Sequence, residues 1–232
     1  MYEVTLSESL FPAQGGDADR LATIGEMLRA SAAAVPDRAA LKELGFDGEV
    51  GRTWTYRELL HDSQRLARAL ASRHPEGARV AVYANNLPEW VLLELACAFA
   101  GLTLVTVNPA YQPRELKYVL EQSRSEAIYY VADFRGNPMQ QIADSVCEEL
   151  PEIRHRILLT DHDELFAGEH VGELRDPQPT DPVQIQYTSG TTGFPKGAVL
   201  HHQGLVQNGY DAMIRAGCEP GDVFVHHMPL FH

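Results

Sequence analysis

The chain has 232 residues, 44% of them hydrophobic and 22% charged, a balance that describes an ordinary soluble globular protein with room for a large core. Asp and Glu number 32 against 19 Lys and Arg, for a net charge of -13, and a surface of that sign repels nucleic acid and anionic membranes and argues against partners of either kind. Cys97, Cys147 and Cys218 stand far apart with no CxxC pair, which argues against a metal knuckle or a disulfide scaffold and fits a reducing cytoplasm.

In chain order, the N-terminal MYEVTLSESLFP lacks an apolar run of signal length. Thr55 and Glu58 form a capping box for a helix whose Leu59, Leu66 and Leu70 share one face. RVAVYA, from Arg79, is a short apolar strand. The stretch from Trp90 to Val107 comes nearest to a membrane span, but Glu94 interrupts it, Gly101 divides it and LTLVTV is β-branched. It predicts a buried helix followed by a buried strand, with no integral membrane segment. Pro113 opens an amphipathic helix carrying Leu116, Val119 and Leu120, and AIYYV from Ala127 is again a strand. A helix near Met139 to Leu150 and the strand RILLT follow. The polar, proline-containing stretch from Asp161 to Pro182 predicts a long surface connection. VQIQY then delivers the chain to a glycine-rich string at a strand end, and VFVHHM from Val223 reads as a last strand. The rhythm predicts an α/β fold with a predominantly parallel sheet flanked by helices, a ligand loop standing where open α/β sheets bind ligands.

That string, YTSGTTGFPKG from Tyr187 to Gly197, carries the chemistry. Gly190, Gly193 and Gly197 offer backbone conformations closed to other residues, so successive N–H groups can converge on an anion. Lys196 supplies positive charge, and Thr188, Ser189, Thr191 and Thr192 offer hydroxyls to phosphate oxygens or to a magnesium ion. A Walker A loop does not fit, because Pro195 stands where its second glycine belongs and Gly197 where its hydroxyl belongs. A plain Gly/Ser/Thr surface loop is the default for three or four such residues and does not account for eleven with lysine and proline in place.

The string resembles the signature loop of the adenylate-forming family of acyl-CoA synthetases, aryl-CoA ligases, luciferases and peptide-synthetase adenylation domains. AGLTLVTVNPAYQPRELKYVLEQS, from Ala100 to Ser123, is similar to the family's second core region, MPLFH from Met228 to His232 to the start of its acyl-pocket motif, and WTYRELL from Trp54 extends the likeness. One departure is His201, where Ser or Thr is more usual before His202. The resemblance implies that residues 1–232 are the N-terminal portion of a single AMP-binding domain, an incomplete part of the family's large N-terminal domain. It implies a ligase that uses ATP, Mg2+ and coenzyme A on a carboxylic acid, with this piece inactive alone. Thr188 is then the hydroxyl near magnesium, Ser189, Gly190, Thr191, Thr192, Gly193 and Lys196 hold phosphate, Lys196 also acts in catalysis, and His232 stands beside the acyl carboxylate. Amino-acid-activating members carry an aspartate where His232 follows Phe231, so the substrate is expected to lack an α-amino group, and VNPAY looks more like fatty-acyl-CoA synthetases than aryl ligases. The alternatives are an aryl-CoA ligase or a non-catalytic phosphate-binding or interaction remnant.

Other residues invite other chemistry. His201 with His202 and His226 with His227 look like metal pairs, but neighbours on a strand face opposite ways and the helical i, i+4 pairing is missing. Asp161 and Asp163 lack the spacing of a calcium loop. No G-x-S-x-G elbow supports a serine hydrolase.

Overall fold

The computed structural model describes residues 22–45, 47–168, 173–174, 176–188 and 195–232. The chain opens with α1 (Ile24–Ala34), the strands β1 (Ala39–Leu44) and β2 (Val50–Thr55), and α2 (Tyr56–Arg73). Alternation follows through β3 (Arg79–Tyr83), α3 (Pro88–Ala100), β4 (Thr103–Val107), α4 (Pro113–Ser123), β5 (Ala127–Tyr130), α5 (Met139–Glu148) and β6 (His155–Leu158). A short α6 (His162–Leu165), β7 (Pro182–Thr188), β8 (Lys196–His201) and α7 (His202–Arg215) complete the order.

Local sequence explains where the helices begin and end. Thr55 accepts from Glu58 N while the Glu58 carboxylate takes Thr55 N, the capping box expected of that spacing. Thr23 and Glu26 do the same for α1. Pro88 and Pro113 occupy first turns, where a missing N–H costs nothing. Gly101 stops α3 in the left-handed region at φ 66, its N–H returning to Cys97 O.

The main sheet has six strands in the order β6, β5, β3, β4, β7, β8, parallel throughout except for β8, which runs antiparallel along β7. From β3 the chain moves one way to β4; from β4 it moves back past β3 to β5 and on to β6. Right-handed crossovers then put α3 on one face and α4 with α5 on the other. The packing agrees, α2 lying against α3 and α1, and α4 against α5. Ten of the thirteen α3 residues are buried because that helix lies between sheet and helices, which is why its sequence is apolar nearly all round. Val80, Ala81, Val82 and Tyr83 of β3 are wholly buried, as are Leu104, Val105 and Val107 of β4. Each such large apolar side chain contributes about 2 kcal/mol of transfer free energy. No helix among the described residues is long and apolar enough to cross a membrane.

Two elements stand where no expectation was drawn, and two expectations change. LysGlyAlaValLeuHis after the glycine-rich string is an edge strand, and Ala39–Leu44 with Val50–Thr55 is a separate antiparallel hairpin turning at Asp47 and Gly48. The stretch after Asp161 is not all surface connection: Asp161 Oδ1 accepts from Glu164 N to cap α6, whose Leu165 is fully buried. Arg73 fastens α6 to α2 by donating to the carbonyls of Glu164, Leu165 and Ala167. Residues 222–227 form no strand, leaving Val223, Phe224 and Val225 exposed. An apolar run expresses a strand only where a partner offers it hydrogen bonds, and the described residues provide none here.

Candidate functional site

The carboxyl ends of β3, β4 and β5 are level, with Tyr83 in register with Val107 on one side and Tyr130 on the other. Loops leave that edge toward opposite faces, the arrangement that opens a crevice in α/β sheets. Polar groups gather there. Tyr83 donates to Tyr111 O at 2.6 Å and accepts from Asn137 Nδ2 at 3.1 Å, while Asn137 also donates to Pro109 O and accepts from Gln112 Nε2. Burial raises the Tyr83 phenol above its ordinary pKa, the Asn137 bond opposing it, so Tyr83 is a neutral brace. It ties the loop after β4 to the turn at Arg135 and Gly136, both in the left-handed region.

The next strand delivers the predicted loop. Thr188 ends β7 and Lys196 begins β8, and the two are register partners, with Thr188 Oγ1 3.5 Å from Lys196 O. Both are exposed, so the hydroxyl and the cation stand at the mouth of the loop. Tyr118 of α4 donates to Pro195 O at 3.0 Å and fixes its returning shoulder. Ser189, Gly190, Thr191, Thr192 and Gly193 lie outside the described residues. Gly197 is needed for space rather than for an unusual φ: a Cβ there would stand 2.9 Å from Ile185 Cγ2 and 3.2 Å from Tyr187 Cζ.

His232 closes a turn at the same edge. Its N–H donates to Pro229 O at 3.2 Å, its ring lies 4.2 Å from that of Phe231, and Leu230 packs against the main core. Thr106 Oγ1 donates to Phe231 O at 3.0 Å and lies 3.4 Å from Ile185 O, linking this turn to β4 and to the strand that ends at Thr188. Asn86, just beyond β3, grips the turn from the other side. Thr188, Lys196 and His232 therefore share one end of the sheet.

Below this edge Glu89, 2% exposed in the first turn of α3, receives Arg52 from β2 and His162 from α6, with His162 Nε2 2.7 Å from Glu89 Oε1. Burial pushes this carboxyl up, but the Arg52 and His162 hydrogen bonds outweigh it and hold Glu89 below the ordinary carboxylate value. The network carries no signature in the sequence, since its members are 37 and 73 residues apart. Asn86, Thr106 and Tyr118 escaped the sequence reading for the same reason, although an Asn pair between an apolar strand and a proline-led helix marks a polar strand end.

Of the histidines weighed as metal pairs, His201 and His202 have structural work. His201 caps α7, its Nδ1 accepting from Gly204 N at 3.0 Å, so the ring nitrogen replaces the oxygen that Ser or Thr would supply. His202 is buried and accepts from Ile24 N at 3.3 Å. His226 and His227 are exposed in the irregular stretch rather than on a strand. A cavity of about 160 Å³ opens at the opposite end of the sheet, beside Arg79, Thr103 and His202, away from the gathered polar groups.

The family model described as AMP-binding enzyme matches residues 28–232. The medium-chain acyl-CoA ligase ACSF2, mitochondrial, of Danio rerio is 32% identical over 224 residues, 84% of this chain and 36% of the relative. Among solved structures, the O-succinylbenzoate coenzyme A synthetase of Bacillus subtilis in complex with ATP and magnesium ion superposes with TM-score 0.72 at 25% identity, covering 88% of this chain and 51% of the other. A long-chain-fatty-acid-CoA ligase from Archaeoglobus fulgidus gives TM-score 0.79 at 23% identity, 90% against 43%, a likeness of fold. The chain thus spans about a third of the length of the curated relative and about half of the solved ones.

Proposed function

The chain belongs to the AMP-binding enzyme family, and from that premise we propose that the whole protein is a fatty-acyl-CoA synthetase. It would activate a carboxylic acid with ATP, releasing pyrophosphate, and pass the acyl group to the thiol of coenzyme A. The observation that carries this reading is the meeting of Thr188 and Lys196 as the last rung of β7 and β8, beside the turn of His232.

A carboxylate is a poor electrophile because its charge is delocalised, and conversion to a mixed anhydride with AMP removes that obstacle. Lys196, exposed at the strand start, provides a fixed positive charge where pyrophosphate would gather negative charge as it leaves. The Tyr118 bond to Pro195 O keeps the backbone beside Lys196 in place, so little reorganisation is needed. Ser189, Gly190, Thr191, Thr192 and Gly193 would supply hydroxyls and backbone N–H groups to the β- and γ-phosphates. The Thr188 hydroxyl, exposed and flanked by the Lys196 carbonyl, suits a hard cation that takes oxygen ligands. Magnesium bound there would neutralise phosphate charge. His232 would orient the acyl carboxylate, and its position after Phe231, where an ammonium-binding aspartate would stand in amino-acid-activating members, supports an acid without an α-amino group.

Cys97, Cys147 and Cys218 are free thiols, which fits a reducing compartment such as the cytoplasm. The test is carboxylate-dependent exchange of pyrophosphate into ATP by the whole protein across fatty, aryl and amino acids. Fatty acids should drive exchange most strongly. Absence of exchange with every acid would overturn the ligase reading, and a preference for aryl acids would overturn the subclass.

A further inference from the structure

We propose that Asn86 is a positioning residue for the carboxylic-acid substrate, acting by clamping the turn that presents His232; this rests on the proposed role of His232. The Asn86 amide donates through Nδ2 to Met228 O at 2.7 Å and accepts through Oδ1 from Leu230 N at 2.8 Å. One planar amide thereby meets the C=O of one residue and the N–H of the residue two further on, the pair of groups that a neighbouring strand would engage. Asn86 acts as a single rung of sheet for a segment that has no strand beside it among the described residues.

The clamp matters because, apart from the Arg38 bond to Gly221 O at 3.2 Å, little fixes that segment from its upstream side. Residues 222–227 have no regular structure, and Val223, Phe224 and Val225 are 82%, 64% and 60% exposed. Downstream, the Thr106 bond to Phe231 O and the packing of Leu230 hold the turn, and the His232 bond to Pro229 O is internal to it. Asn86 is separated from its two partners by 142 and 144 residues, so local chain geometry cannot substitute for it. It also sits between β3 and the first turn of α3, two of the most deeply buried elements, so the clamp refers the turn to a rigid frame.

An aspartate would set a second acceptor against Met228 O, and alanine would remove both bonds. In the whole protein, Asn86→Asp and Asn86→Ala should raise the KM for the carboxylic acid about tenfold, as expected for two neutral hydrogen bonds, with the KM for ATP changed less than about twofold. A merely destabilised protein loses active fraction, lowering kcat and leaving both KM values in place. Amide hydrogen exchange across residues 228–232 should quicken in both variants, whatever the protein's substrate proves to be. Unchanged exchange protection would overturn the clamp. Quickened exchange with an unchanged carboxylate KM would overturn its role in substrate positioning. Quickened exchange in a protein whose unaltered form activates no carboxylate would leave the clamp standing and overturn the reading of His232 beneath it.

Discussion

The two halves of this molecule are held by different means. On one side β3, β4 and α3 are buried nearly throughout, and Glu89, buried among them, is met by Arg52 and His162. On the other, β8 is an exposed edge strand held by its backbone ladder to β7 and by Tyr118 at its start, and the largely exposed chain beyond α7 is referred to the rest by a few side-chain hydrogen bonds from Arg38, Asn86 and Thr106. Of the site residues predicted from sequence that can be placed, Lys196 and His232 stand on the second side and Thr188 at the end of β7 that borders it. Packing supplies the frame, and a few long-range polar bonds supply the aim. Changes on the tethered side should alter activity with little effect on stability, and changes on the buried side should do the reverse.

The largest expected effect tests the tethered side. Lys196→Ala should slow ATP–pyrophosphate exchange by the whole protein about a hundred- to a thousandfold, as for loss of one preorganised electrostatic contact, with the thermal midpoint unmoved because the side chain is exposed. Exchange at the unaltered rate would remove Lys196 from the chemistry.

Two titrations probe the buried side. His74, with no side-chain exposure, has its pKa lowered from 6.5 to about 4, by burial first and then by His155 and Arg73. Around it stand Tyr129, 2.9 Å from Nε2, Glu126, 3.4 Å from Nδ1 without a well-directed hydrogen bond, and the His155 ring at 5.0 Å. The unfolded chain takes up this proton as pH falls through 6.5 and the folded chain only near 4, so acidification across that window costs up to about 3 kcal/mol of stability. Glu94 works in the opposite sense. Desolvation raises its pKa from 4.5 to about 7 although the residue is only half-buried, and it finds no hydrogen-bond or ion-pair partner among the described residues. The unfolded chain releases that proton near 4.5 and the folded chain near 7, so stability is lost as pH rises between those values. Relative to the unaltered protein, His74→Gln should tilt the stability profile between pH 4.5 and 6.5 downward with rising pH, and Glu94→Gln upward. Denaturant unfolding at several pH values reads both, and parallel profiles would show that neither group is buried as described.

Glu89→Gln should cost about 2 kcal/mol in urea unfolding, since it leaves Arg52 and His162 without a carboxylate, the exposed side of Arg52 softening the loss. The smallest effect belongs to Gly197→Ala, about 1 kcal/mol, from a methyl group pressed against Ile185 and Tyr187. An effect of Gly197→Ala larger than that of Glu89→Gln would invert the contrast between the halves.

Sequence legibility divides along the same line. The parallel core could be read because its signals are local: the capping box at Thr55, the prolines opening α3 and α4, Gly101 closing α3, and continuous apolar runs for strands buried on both faces. β8 could not, because an exposed edge strand pairs through its backbone and carries no burial pattern in Lys196, Gly197 and Ala198. The β1–β2 hairpin is likewise mostly exposed, and only Asp47–Gly48 announces it. VFVHHM failed in the other direction, its apolar residues signalling a strand that lacks a partner among the described residues. At the site, residue types at the loop mouth were legible, whereas Asn86, Thr106 and Tyr118 depend on contacts across the whole chain.

The reversal of direction between β7 and β8 has a consequence for ionic conditions. In a Walker loop the chain enters a helix, whose aligned peptide dipoles lend about half a positive charge to the bound anion. Here the chain returns as a strand, and α7 begins only after β8 has run back toward the far end of the sheet. Without a helix behind the loop, the grip on polyphosphate would lean on the exposed charge of Lys196 in a chain of net charge -13. Mobile ions screen such a charge within about 8 Å at physiological salt, so the share of polyphosphate binding that Lys196→Ala removes should shrink as the buffer is made more concentrated.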